Sequence, residues 1–254
     1  MNNPQVKFRV AQINHIIGLI NDFLNPGKGD WDWSRGILNR YPELDKKLKN
    51  IKNKSKRKGI TRAFFKKFII NNKILLERRA RLFQKEWDKI NDKIMNALSE
   101  ILEIKWPKKD KQIRAFVSPN PICPRYIKER TFDVYFLSSI KEMRATAVHE
   151  ILHFLYFEKW KQVYPKSNEK HFDAPYLIWE LSEMVPKTIL SDKRLQKRLR
   201  HNPNVYKEYK NLKIKGRPLL SYINNFYSKR KDFEDFLRKS WTFVRKHEKE
   251  IQKA

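Results

Sequence analysis

The chain has 254 residues, with 57 Lys+Arg against 28 Asp+Glu, a formal net charge of +29, 40% apolar residues and 13% aromatics. Its 7 Trp, 10 Tyr and 16 Phe supply a sizeable core, which excludes wholesale disorder and implies a folded protein of one or two domains. No run approaches the ~18 apolar residues of a bilayer span. The lone Cys123 can build neither an internal disulfide nor a cysteine-based metal site, so a chain without a membrane span in the reducing cytoplasm is expected.

Apolar positions at Val6, Val10, Ile13, Ile17, Ile20 and Leu24 recur every three or four residues, which predicts one amphipathic helix over 5–24, ended by Asn25-Pro26-Gly27. The apolar patch at 16–20 lacks the basic front and small-residue cleavage site of an export signal. Between Lys46 and Lys73 stand 12 basic residues and no acidic one; a loop at the 52–59 cluster, followed by a long helix to about residue 101, is the simplest reading. Gly59 and Gly216 bracket 156 residues without glycine, which excludes phosphate-cradling loops and dinucleotide turns from the middle of the chain. Gly27, Gly29, Gly36 and Gly216 are expected in loops or at helix ends.

Pro119, Pro121 and Pro124 separate two short aromatic or β-branched runs, 113–117 and 131–137, which read as strands. Ser139 and Glu142 have the spacing of a capping box, so a helix is expected over 140–163, stopping before Pro165. A second helix over 174–185 should end or kink at Pro186. Residues 193–217 hold 10 basic residues and one acidic, and two amphipathic helices are expected over 219–227 and 233–251.

The 140–163 helix carries His149-Glu150-Ile151-Leu152-His153, an H-E-x-x-H motif whose chance expectation at this composition is only about 0.01 matches. Histidines four apart lie roughly 40° apart around the helix and one turn along it, so both imidazoles can address one ion, and the spacing suits zinc. Glu150 follows the first histidine and can reach a water activated by the ion, as a general base. Val148, Ile151, Leu152, Phe154 and Leu155 surround these groups with apolar side chains. Three ionisable groups in such a helix are costly unless paired or metal-bound.

A strand, a turn, a helix bearing H-E-x-x-H and a later helix with a carboxylate resemble the zincin metallopeptidases, in particular the gluzincin branch to which thermolysin belongs. The resemblance covers roughly residues 113–190, and the five-residue motif is its specific part. It implies zinc held by His149 and His153, Glu150 as general base and acid, a peptide or protein substrate, and the 131–137 strand as the cleft edge along which that substrate lies. The metzincin extension is excluded, because its glycine and third histidine would fall on Tyr156 and Lys159. A third ligand must come from His171, Asp173, Glu180 or Glu183, and Glu183 is favoured for its apolar neighbours Leu181, Met184 and Val185. Residues 180 and 183 share a helix face, so the other glutamate, or His171, would support the site from behind. No Asn precedes either glutamate, and the 153–183 connection is longer than thermolysin's.

A second resemblance is to SprT-like proteases that act on DNA-bound proteins, with His171 as third ligand; their usual His-Gly pair is His171-Phe172 here. The third reading is a non-catalytic basic protein that binds nucleic acid. Residues 139–190 hold 7 basic and 7 acidic residues, so the excess charge lies in the flanking tracts, where a nucleic acid or other polyanion is the candidate partner. His15, His201 and His247 read as surface residues. The expected architecture is α+β, predominantly helical, with a small antiparallel or mixed sheet packed beside the motif helix. Its expected segments are a basic helical region 1–105, a zincin-like core 106–190 and a basic helical region 191–254.

Overall fold

Parallel pairing between two strands more than a hundred positions apart organises the first half of the protein: Val6 lies opposite Ile113, Phe8 opposite Ala115 and Val10 opposite Val117. The computed structural model describes residues 3–25, 32–199 and 205–253. In chain order the elements are β1 (Gln5–Val10), α1 (Ile13–Leu24), α2 (Ser34–Leu38), α3 (Pro42–Leu48), α4 (Lys54–Asn71), α5 (Lys73–Asp88), α6 (Asn91–Leu102), β2 (Gln112–Ser118), β3 (Arg125–Tyr126), β4 (Thr131–Tyr135) and α7 (Ile140–Val163). After a 3₁₀ turn at Glu169–Phe172 come α8 (Leu177–Met184), α9 (Pro186–Ile189), α10 (Lys193–Leu199), α11 (Lys207–Asn211), β5 (Lys213–Ile214), β6 (Arg217–Pro218), α12 (Leu219–Ser228), α13 (Phe233–Lys246) and α14 (Glu248–Ile251). The fold is α+β and mostly helical, with a small mixed sheet in the order β1-β2-β4-β3 and a two-stranded β5-β6 hairpin. Among the described residues, no helix is long and apolar enough to cross a membrane.

The chain divides into two compact units, each discontinuous in sequence: a sheet unit, Gln5–Lys89 with Gln112–Ala147, and a helical unit, Met1–Pro4 with Ile90–Lys111 and Val148–Ala254. These units cut across the consecutive segments 1–105, 106–190 and 191–254, which follow charge rather than contact.

In the sheet unit, β2 and β4 are parallel neighbours and β3 adds an antiparallel edge. One sheet face carries Val6, Phe8, Ile113, Ala115, Val117, Phe132 and Val134, all buried. Phe83 and Trp87 of α5 lie 6.1 Å from the Phe8 ring. Gln84 closes the outer edge of β1, accepting from Phe8 N at 2.8 Å and donating to Val6 O at 3.1 Å. Helices α1 to α4 build a second core from Ile16, Ile17, Ile20, Leu44, Leu48 and Phe65, against which Phe116 of the opposite sheet face packs.

Several expectations need correction here. Residues 5–24 form a strand and a helix, because Val6 and Phe8 alternate with polar neighbours at period two before the helical spacing starts at Ile13. The 52–59 cluster is not a loop but enters α4, where the Asn53 side chain accepts from Lys56 N at 2.9 Å and so caps the helix. The expected long helix to residue 101 is broken into α4, α5 and α6. Gly36 lies inside α2 rather than at its end, while Gly216 (φ 77°) follows Lys215 (φ 48°) in the β5-β6 turn, the two-residue hairpin geometry that favours glycine. Strand β4 is flanked on both sides, with Thr131 and Phe132 paired to β3 and Asp133 N donating to Pro124 O at 2.9 Å, so this stretch is not the bare edge expected for substrate. Pro26, Gly27, Gly29 and His201 lie outside the described residues. The capping box forms as expected, Ser139 N donating to Glu142 Oε2 at 2.7 Å and Glu142 N to Ser139 Oγ at 3.2 Å.

Of the histidines expected at the surface, one is enclosed and another is half-buried against a partner. His247 is buried and its Nδ1 lies 3.0 Å from Glu250. His15 of α1 lies 3.0 Å from Asp133, whose side chain is wholly buried at the centre of the sheet. The Asp133 hydrogen bond holds the His15 imidazole above its ordinary value, against an opposing effect of burial, and the Asp133 charge adds to the rise. A raised histidine stabilises the fold below its unfolded pKa, and that contribution is lost as pH rises through the folded value. The thermal unfolding midpoint is therefore expected to fall as pH rises above the ordinary imidazole value of 6.5. A His15→Asn variant should lack that component; parallel midpoint profiles for the two proteins would remove the pair from the account.

Candidate metal centre

Helix α7 is buried almost all round from Ala147 to Trp160, as a helix through a core must be, and only His149 and Glu158 in that stretch reach intermediate exposure. Its H-E-x-x-H spacing sets the two imidazoles on one face, with the Nε2 atoms of His149 and His153 3.0 Å apart. In the helical unit α8 is buried along its whole length and turns Glu183 toward that face. Glu183 Oε2 lies 3.4 Å from His149 Nε2, and Glu183 Oε1 lies 3.5 Å from His153 Nε2.

These separations suit a small divalent cation. A tetrahedral zinc ion with bonds of about 2.0–2.1 Å sets its donor atoms roughly 3.3–3.4 Å apart. Taking one donor atom from each of His149, His153 and Glu183, all lie within 4.8 Å of one another, and this is the one such group found among the described residues. The donors are two imidazole nitrogens and a carboxylate, a set that zinc accepts. His153 and Glu183 are almost fully enclosed, whereas the His149 side chain is 25% exposed, so the triangle opens to solvent on the His149 side. The orientation of His153 is held by a stack: its ring lies nearly parallel to Phe157 at 6.2 Å, and Phe157 stacks on Phe172 at 4.4 Å.

The other candidates take different places. Glu150 is buried on α7 between the two histidines in sequence. His171 stacks on Tyr176 with ring centroids 4.4 Å apart and does not join the group. Asp173 is exposed. Glu180, one turn before Glu183 on α8, is also buried but outside the group, and burial, reinforced by Glu248, pushes its carboxyl up to about 7. A carboxyl poised there both donates and accepts near neutral pH.

Tyr209 of α11 was not legible in the sequence. It lies at 2% exposure with its hydroxyl oxygen buried and without a hydrogen-bond partner. Burial, followed by the charges of Glu180 and Glu183, holds the phenol above its ordinary value, so it remains a donor beside these carboxylates. Its neighbours Lys207, Glu208 and Lys210 give this segment the composition of a solvated loop, and the 206/209 aromatic spacing is the only local signal.

Comparison with protein-family models, with curated proteins and with solved structures finds no match. Removal of single side chains is the direct test of the centre. His149→Ala, His153→Ala and Glu183→Ala should each weaken zinc binding, measured by chelator competition, by more than about 100-fold, beyond the ~10–100-fold typical of a supporting residue. His171→Ala should leave the affinity unchanged; a loss there matching that of Glu183→Ala would reassign the third ligand.

Proposed function

We propose that the protein is a zinc-dependent hydrolase that cleaves peptide bonds in a peptide or protein substrate. The observation that carries this reading is the open triangle of His149, His153 and Glu183 on two buried helices, with Glu150 in the same turn of α7. Structural zinc sites close the tetrahedron with a fourth protein donor, whereas catalytic sites use three and leave a position free. Among the described residues the group has three members, and its His149 side faces solvent.

A zinc ion held there supplies Lewis acidity toward a carbonyl oxygen and lowers the pKa of a bound water. Glu150 takes the proton of the attacking water and returns it to the leaving amine, a role that suits a buried carboxylate on the ligand helix. Tyr209, whose phenol feels the charge of Glu183 and whose buried hydroxyl has no hydrogen-bond partner, is the donor that this reading would assign to negative charge at the carbonyl oxygen. Glu180, kept near neutrality by burial and by Glu248, stands outside the ligand group. His171 lies against Tyr176, so a three-histidine site of the SprT-like kind has less support than a site of two histidines and a glutamate. The single thiol of Cys123 suits work in the cytoplasm.

Hydrolysis of an unstructured protein or a mixed peptide pool by the zinc-loaded chain is the test. Glu150→Gln should retain zinc at wild-type affinity and lose at least about 100-fold in turnover, the scale of a general base. Turnover at the wild-type rate in Glu150→Gln, or none by the zinc-loaded wild type, would refute the mechanism.

A further inference from the structure

Helix α4 is unusual among the exposed helices of this chain in how it treats charge. Lys54, Lys58, Arg62 and Lys66 follow one another at i, i+4 spacing, and all four are exposed, with no hydrogen bond or ion pair from their side chains to any described residue. Like charges at that spacing repel and weaken a helix. The first turn of α4 contains no acidic residue, so Lys54 and Lys56 sit at the positive end of the helix dipole, a second unfavourable choice. Gly59 lies in the middle of the helix although a Cβ there would meet nothing within 4 Å, a third. On α13, by contrast, Arg238 pairs with Glu234 and Lys239 with Asp235 at i, i+4 spacing; the short α10 has like charges one step apart at Lys193/Lys197 and Arg194/Arg198, but there Arg194 pairs with Asp192, and no row of four is built. High lysine content alone does not explain the contrast.

The fold itself uses two other cations of the 46–73 tract. Arg57 donates to Asn25, Leu48 and Ile51 and so ties α4 to the ends of α1 and α3. Lys47 lies over the Phe64 ring at 5.9 Å. The four cations of the row, with Lys56 and Lys67, have no such task.

We propose that this face of α4 is a docking surface for the phosphate backbone of a nucleic-acid duplex. The row spans about 18 Å along a helix some 10–12 Å wide, a size that a duplex groove admits. Ser55, Gly59 and Ala63 form an exposed row of small residues beside it, which lets the cations reach a close-lying polyanion. Phe64, Phe65 and Phe68 are turned inward against Tyr41 at 4.9–5.9 Å, so the face offers no ring on which the bases of a single strand could stack. The same inward packing occupies the apolar side that a membrane-surface helix would have to insert in lipid. The face carries cations and little else to read base edges, and so fits contact without sequence preference.

The proposal is independent of any metal and is tested on the full chain with a labelled duplex of mixed sequence, at salt between about 50 and 200 mM. Each phosphate neutralised adds about −0.9 to the slope of log K against log salt, so four contacts account for roughly a 100-fold loss of affinity across that range. Changing Lys54, Lys58, Arg62 and Lys66 together to Gln should lower the slope by about 3–4 and weaken binding at every salt concentration. Thermal unfolding should show that this variant is at least as stable as wild type, because repulsion has been removed. A control with Lys207, Lys210, Lys213 and Lys215 changed to Gln has the same net charge and should keep most of the slope. Equal losses in both variants would show that affinity tracks net charge and would overturn the assignment. So would an unchanged slope in the α4 variant, or a preference for anionic phosphatidylserine vesicles over the duplex, which would point to the exposed Ile70 and Ile74 as the contact.

Discussion

A carboxylate at 2% side-chain exposure beside an imidazole at 1%, with a second imidazole 3.0 Å from the first, is an arrangement that the helical unit has to balance electrically. Removing a charge from water is expensive unless a partner compensates it, and two protonated imidazoles at that separation would repel. The zinc ion proposed for this group, held by two neutral imidazoles and one carboxylate, would meet both demands at once. Much of the local sequence follows from this constraint. Helix α7 is buried nearly all round from Ala147 to Trp160, α8 is buried from end to end, and Phe157 and Phe172 hold the His153 ring in place, so that the donors have almost no freedom to turn away.

What could be read in advance divides according to the sequence distance over which each signal acts. The bounds of α7 were legible because the Ser139/Glu142 box and Pro165 are local signals, and the facing of His149 and His153 is a property of one helical turn. The choice among Glu180, Glu183 and His171 depended on how a later helix returns, and the apolar surroundings of Glu183 were the one local hint. Strand β1 was lost inside a helical pattern, since only pairing with Gln112–Ser118 distinguishes its alternation from the spacing that follows. His15 meets Asp133, and Tyr209 feels the charges of Glu180 and Glu183, across long stretches of chain. No window of neighbouring residues contains that information.

Charge shows the same division between local rule and wider use. Helix α13 satisfies the preferences of an isolated helix, with acidic residues in its first turn, basic ones in its last and ion pairs between. Helix α4 sets those preferences aside on its solvent side while its inner side packs on α1 and α3 like any other. Sites where a sequence departs from local rules without a gain in the fold are where natural proteins place function. The inner and outer sides of α4 thus answer to different demands within the same 18 residues.

The discontinuity of the two units bears on how the chain acquires its structure during synthesis. The sheet unit possesses its last segment once Ala147 has been made, and β1 must wait for β2 before it has any partner strand. Helix α6, by contrast, emerges in the interval between the two and belongs to the unit completed last. Its stripe of Ile94, Met95, Leu98, Ile101 and Leu102, buried in the finished protein, stays uncovered on the nascent chain until the helices after Val148 arrive. That apolar stripe is the last of the early-made surfaces to be covered, and so stays open to off-pathway association after the sheet unit has all its segments.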